Sequence, residues 1–219
     1  MPLDQILLLA PVLLFSIVAH EYAHAEAAYR QGDNTAYMLG RLTLNPLKHI
    51  DPFLTIILPI MLIAMGGPAF GGAKPVPVNP RNYRNYRTGD IIVSLAGIAT
   101  NLVLFIISAI GYAVVGLLGR GLAGLSGSLA ILQGMLYFGM WVNLLLAFFN
   151  LIPLPPLDGS HVMKHLLPPA AGMQYRQLYA LGMIPIVLVV WLLPGVVDAF
   201  LWPAHKLMGA AWGLVGSFR

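Results

Sequence analysis

Apolar residues run almost unbroken through positions 6–18, 91–118, 129–152 and 178–193, and the stretches between them are dense in Gly, Pro and Arg. Crossing roughly 30 Å of hydrocarbon takes about 20 helical residues. The first run meets that length when its helix continues to about residue 29, and its last two turns then carry His20, Glu21, His24 and Glu26. Polar groups at that depth are costly and mark a functional site by default. Runs 91–118 and 129–152 are strong spans; the first holds Gly97 and Asn101, the second Asn143 and Asn150, and the second stops at Pro153. Run 178–193 reads as a further span with Pro185 inside it. Positions 198–216 are mixed, with His205 and Lys206 near the middle, and suit either a last span or an interfacial helix.

The connecting stretches have patterns of their own. Positions 40–46 alternate and end at Pro46, which predicts a short strand. Positions 53–65 are apolar but short and contain Pro59; the next stretch, GGPAFGGAKPVPVNP, predicts an extended loop or short strands. No repeat and no linker divides the chain, so residues 1–219 read as one domain. The predicted fold is an all-α polytopic membrane protein of about five to six transmembrane helices. A short re-entrant or β-loop element lies between its first and second core spans.

Composition agrees. Hydrophobic residues make up 58% and charged residues 9%, with a mean hydropathy of +0.80. A soluble domain has about 25% charged residues, so this chain is suited to face lipid. The net charge is +4 without a basic run interleaved with aromatics, which argues against a nucleic-acid partner. There is no cysteine, so any metal must be held by His, Asp or Glu. The first residues lack a basic segment, and the apolar run continues into a polar helix end, unlike a cleavable signal.

Charge also orients the chain. The first 29 residues hold no Lys or Arg, whereas Arg30, Arg41 and Lys48 follow the first span. The positive-inside rule places the N-terminus outside and the end of that span in the cytoplasm. A full crossing by 53–65 would put Lys74, Arg81, Arg84 and Arg87 outside, against the same rule. The expectation is therefore a re-entrant element, shielded by protein because bare backbone is not tolerated in lipid. Spans 91–118 and 129–152 then run out and back. This brings Asp158 to the cytoplasmic face of the cell membrane, the face of His20 and His24.

His20-Glu21-Tyr22-Ala23-His24 is an HExxH pattern on a helix. Residues four apart lie about 40° apart on one face, so both imidazoles can reach one ion. Glu21 sits beside them, free to act as a base. Catalytic zinc takes three protein ligands and keeps a fourth position open. Glu26 lies about 200° round the helix from His24 and is excluded. Among the remaining His and Asp residues, Asp158 stands out. It follows Pro153, Pro155 and Pro156 and precedes Gly159, a stiff stretch that aims a short side chain. Asp158 as a helix N-cap is the alternative, and His161 is the second candidate ligand.

HEYAH on an early span and NLIPLPPLDG after a later one together resemble the site-2 protease family of intramembrane metalloproteases. Ala96-Gly97-Ile98-Ala99-Thr100-Asn101 is similar to that family's Gly-x-x-x-Asn motif. GRLTLNPLKHIDP and FGGAKPVPVNPRNYR resemble its compact prokaryotic branch without a PDZ domain. The resemblance implies one zinc held by His20, His24 and Asp158, with Glu21 catalytic. It implies that Asn101 is catalytic or binds substrate backbone, with Asn143 a weaker candidate. Loop residues Gly72 and Lys74 are expected to bind substrate, which would be a transmembrane protein surrounded by membrane lipid. Three positions depart from the family pattern. Ile98 stands where Pro is frequent, Gly72 where a bulky aromatic is common, and His161 where Arg is frequent. The competing classes are a non-catalytic membrane scaffold that binds clients and a metal transporter. Oligomeric state is left open.

Overall fold

The computed structural model describes residues 3–57, 60–61, 64–65, 74–121 and 126–218. Every regular element among them is helical. The elements are α1 (Leu3–Gln31), α2 (Thr35–Met38), α3 (Tyr86–Gly121), α4 (Ser126–Asn150), α5 (Asp158–Leu166), α6 (Pro169–Gln177), α7 (Ile184–Leu192) and α8 (Pro194–Val215).

Three helices are long and apolar enough to cross a membrane: Asp4–Gln31, Tyr86–Gly119 and Gly127–Asn150. Ile106, Ile107, Ile110, Val114 and Leu117 of α3 are exposed. Such a stripe is a liability in water and an ordinary lipid-facing surface in a bilayer. A fourth crossing arises if Pro169–Leu181 and Ile184–Leu192 act as one broken span; they meet at 89°. The apolar run 178–193 is therefore not the straight helix its composition predicts. A 3-10 turn occupies Leu178–Leu181, and Pro185 sits at the start of α7, where its missing N–H costs nothing. Of residues 198–216, all but Gly216 fall within the single helix α8; Gly216 begins a 3-10 turn, Gly216–Phe218.

α1 packs against α3 and α4, which pack most extensively on each other. α8 joins them through Ala204 and Met208, which meet Tyr112, Met140 and Leu144 in one buried cluster. A second buried layer lies beside the C-terminal half of α1. There Ala25 packs with Ala36 and Val76, and Ala28 with Tyr83 and Val93.

The predicted strand at 40–46 does not form. Residues 41–45 are irregular and lead into a 3-10 turn, Pro46–Lys48, capped by the Asn45 side chain, which accepts from the Leu47 N–H at 3.0 Å. The extended segment 74–79 is their nearest candidate partner, but Pro75 and Pro77 offer no N–H to a ladder. Isolated bonds join the segments instead: Arg41 donates to the Lys74 carbonyl (3.0 Å), and the Lys74 N–H to the His49 carbonyl (2.8 Å).

Candidate metal centre

α3 carries Gly97 where it crosses α1 beside the two histidines. A Cβ there would lie 2.5 Å from His20 Cε1 and 2.6 Å from the Nε2 atoms of His20 and His24. Only glycine lets α3 come this close.

That approach places hydrogen-bond acceptors behind both rings. His20 Nδ1 lies 2.5 Å from Asn101 Oδ1, and His24 Nδ1 lies 2.7 Å from the Val93 carbonyl. The direction of the first bond is fixed by a chain of amides. Asn143 donates through Nδ2 to the Gly139 carbonyl (2.8 Å) and to Ser16 Oγ (3.0 Å). Its Oδ1 therefore accepts from Asn101 Nδ2 at 2.8 Å, which leaves Asn101 Oδ1 as acceptor. His20 must carry its proton on Nδ1, and Nε2 is left with a lone pair. A carbonyl can only accept, so His24 is in the same state. A neighbour on the far ring nitrogen is the usual way a ligating histidine is oriented.

Asp158 arrives from the other side as the first residue of α5. It is not the N-cap; Leu157 holds that position, and no side chain caps the helix. The preceding turn is pinned by Ile152 and Leu157, which pack on Ile186. Gly159 is needed because a Cβ there would sit 2.2 Å from the Leu151 carbonyl oxygen. Asp158 Oδ2 then lies 3.1 Å from His20 Nε2 and 3.3 Å from His24 Nε2, while the two Nε2 atoms are 3.0 Å apart. Among the described residues this is the group of three whose ligand atoms fall within 4.8 Å of one another. Asp158 Oδ2 is buried and has no hydrogen-bond partner among the described residues. A metal ligand must be the ionised carboxylate, and a cation between the three atoms would hold it in that form.

The three atoms suit zinc. Ligands about 2.0–2.2 Å from a tetrahedral ion stand about 3.3 Å apart, close to the separations seen here. The donor set of two neutral imidazoles and one carboxylate, with no donor left for Asp158 Oδ2, fits a cation better than it fits any hydrogen-bonded arrangement.

A cavity of about 230 Å³ opens on this group and is lined by Glu21, Val76, Tyr83, Asp90 and His161 among others. Glu21 Oε2 accepts from the Val76 N–H at 2.8 Å, which holds it against the extended segment. Asn101 and Asn143 are buried behind the histidines and do not line the cavity. The Lys74 backbone is bonded as described above, and its side chain is exposed. Gly72 lies outside the described residues. His161 does not join the ligand group; its Nδ1 lies 3.2 Å from Asp90 Oδ1.

Two acids escaped the sequence reading. Asp90 is 2% exposed and receives Lys164 Nζ and His165 Nε2, each at 2.7 Å, which ties α5 to α3. Asp33 is 1% exposed and accepts from the Asn79 N–H (2.6 Å), Thr35 and Asn82, which ties the end of α1 to the extended segment. The one available signal was the cost of an acid at the edge of an apolar span, which Asp90 shows.

Residues 121–193 match peptidase family M50. A Bacillus subtilis protein named "Putative zinc metalloprotease YwhC" is 40% identical over 205 residues, 92% of this chain and 87% of that protein. Two mycobacterial proteins, each named "Putative zinc metalloprotease Rip2", also match. The one from Mycolicibacterium smegmatis is 37% identical and the one from Mycobacterium tuberculosis 32%; each match covers 71% of this chain and 56% of the relative. No solved structure matches the chain.

Proposed function

Since this chain belongs to peptidase family M50, the site-2 protease family, and is an intramembrane zinc metalloprotease, we propose that His20, His24 and Asp158 hold the zinc and that Glu21 is the general base. The observation that carries this is the convergence of the three ligand atoms, with both Nδ1 positions already occupied. Zinc in such a site lowers the pKa of water from about 15.7 toward 7 and polarises a carbonyl.

Glu21 takes a proton from the attacking water and passes it to the leaving amine. The Val76 N–H orients it for both steps. A client-binding scaffold has no use for a carboxylate held there. The substrate is a membrane protein, and its cut segment must be extended before hydrolysis, because helical peptide bonds are shielded. The segment 74–79 supports that reading as a site for strand addition. Its Lys74, Val76 and Asn79 N–H groups are taken up within the protein, and Pro75 and Pro77 have none, so it meets a substrate mainly through carbonyls. Asn101 fits a positioning role, with its Oδ1 on His20 and its amide on Asn143, better than contact with the substrate.

We propose the same single domain over residues 1–219, with α8 and the broken pair α6–α7 as further crossings, for a total of five. α8 is about 33 Å long at about 1.5 Å per residue. We place the active site toward the cytoplasm of the cell membrane and read residues 53–80 as re-entrant. The Lys74–His49 bond supports this, since it joins the two ends of the intervening stretch. Cysteines at 74 and 84 should react with impermeant reagents only from the cytoplasm, and labelling from outside would overturn this topology.

The test of the function is Glu21→Gln beside Asp158→Ala in purified protein. Glu21→Gln should abolish chelator-sensitive cleavage of a transmembrane substrate and keep its zinc, and Asp158→Ala should lose both. Cleavage by Glu21→Gln at the wild-type rate would refute the mechanism.

A further inference from the structure

Asp158 is the first residue of α5, and no side chain caps the helix there. What fixes α5 against the rest of the site lies further along it. Asp158, His161 and His165 follow one another at spacings of three and four, so they share a helix face. That face meets α3 at Asp90. The partners of the Asp90 carboxylate among the described residues all come from α5. Lys164 Nζ and His165 Nε2 each lie 2.7 Å from Oδ2, and His161 Nδ1 lies 3.2 Å from Oδ1. The side chains of Asp90, Lys164 and His165 are buried. Arg87, on the first turn of α3, adds a bond to the His165 carbonyl at 3.0 Å.

Asp90 is also in line with the residues that support the other two ligands. From Asp90 to Val93, Gly97 and Asn101 the steps along α3 are three, four and four, which is one face of a helix. The Val93 carbonyl backs His24, Asn101 backs His20, and Gly97 lets both rings come close. One stripe of α3 thus meets both histidines directly and meets the helix of the third ligand through Asp90.

Stability does not account for this cluster. An ion pair taken out of water gains little over a well-packed apolar contact. What it contributes is register. An apolar face lets a nine-residue helix such as α5 slide or turn, whereas a carboxylate bonded to three of its side chains accepts one placement. That placement decides whether Asp158 Oδ2 falls, as it does, 3.1 and 3.3 Å from two nitrogens on α1.

We propose that Asp90 is a positioning residue for the metal site: by holding Lys164, His165 and His161 it sets α5 against α3 so that Asp158 reaches His20 and His24. It acts through α5 and takes no part in bond making or breaking. This inference rests on the assignment of His20, His24 and Asp158 as the zinc ligands.

The experiment uses the full chain in detergent and compares wild type, Asp90→Asn, the double variant Asp90→Leu with Lys164→Met, and Asp158→Ala. Two quantities are read. One is the zinc dissociation constant, by competition with a fluorescent chelator at a temperature well below every unfolding midpoint. The other is the thermal midpoint of the zinc-free protein. The double variant removes both charges together, a replacement that is often neutral or stabilising for a buried pair. Its zinc-free midpoint should match or exceed that of wild type. Its zinc affinity should nevertheless fall about 10–100-fold, the usual cost of losing a partner that orients a ligand. Asp90→Asn leaves Lys164 buried without its counter-charge, so it should lose affinity to the same extent and have a lower midpoint as well. If that variant does not fold, the double variant carries the test. Wild-type zinc affinity in the double variant, whatever its midpoint, would overturn the proposal and leave the cluster a structural one. If Asp158→Ala binds zinc like wild type, the ligand assignment itself fails. If Asp158→Ala loses zinc and the double variant does not, only the role of Asp90 fails.

Discussion

His20 Nδ1 and Asn101 Oδ1 lie 2.5 Å apart inside the protein, on helices 81 residues apart in sequence. Asn101 is fully buried, and its amide in turn donates to Asn143. The pair converts a polar residue in the middle of one span into a statement about which nitrogen of a histidine on another span is free. In the proposed zinc site the lone pair on His20 Nε2 is thus set by α3 and α4, not by the HExxH helix alone.

Asn101→Ala should therefore act on the metal. Loss of such an orienting partner typically weakens metal binding by about 10–100-fold. The expected outcome is a weaker zinc dissociation constant in competition with a fluorescent chelator, and a kcat that returns when zinc is in excess. Unchanged zinc affinity together with a lower kcat at saturating zinc would assign Asn101 to the substrate instead.

Gly97→Ala tests the close approach. The added Cβ would lie within 2.6 Å of three histidine ring atoms, and neither ring can turn aside without leaving Asn101 or the Val93 carbonyl. Overpacking of this kind costs about 1–3 kcal/mol. Thermal unfolding in detergent should show a lower midpoint, and metal analysis should show less bound zinc. A variant with normal zinc content would mean that α3 can retreat without cost.

These residues also show what sequence could and could not reveal. The two histidines were legible because a spacing of four on a 3.6-residue helix leaves one geometric outcome, and Asp158 because three prolines before it restrict the backbone. The Gly-x-x-x-Asn resemblance marked Asn101 as catalytic or substrate-binding, but its bond to His20 was not legible, since that is fixed by how α1 and α3 cross. The roles of Asp33 and Asp90 were hidden for the same reason: apart from Thr35 beside Asp33, the partners the structure gives them lie 46 to 75 residues away on other elements. The strand expected at 40–46 failed because alternation describes one segment, whereas a ladder needs donors from a second.

Asp33 gives a pH prediction. Burial alone would raise the pKa of its carboxyl, but hydrogen bonds from the Asn79 N–H, Thr35 and Asn82 outweigh it and lower it below the ordinary value. A depressed folded value contributes stability that is present above the unfolded pKa of about 3.9 and is lost as pH falls through the folded value. Amide exchange at 76, 79 and 82 should accelerate in that acid window. In Asp33→Asn the acid dependence should flatten, and an unaltered profile in that variant would remove Asp33 as the cause.

Tyr83 offers the opposite kind of test. It is 7% exposed and its ring packs on Ala28 and Val93, but its hydroxyl is buried without a hydrogen-bond partner among the described residues. Burial pushes the phenol pKa up, and the nearby carboxylates of Asp90 and Asp33 add to the rise, so the group stays neutral and its cost is that of an unsatisfied O–H. Removing an orphaned polar group while its apolar surroundings are kept is neutral or stabilising, by about 1 kcal/mol. Tyr83→Phe should therefore unfold at the same temperature as wild type or higher, with zinc affinity unchanged. Thermal unfolding of the zinc-free and zinc-bound forms separates the possibilities. A drop confined to the zinc-bound form would show that the hydroxyl turns to the metal site when it is filled, and a drop in both forms would show a partner within the fold.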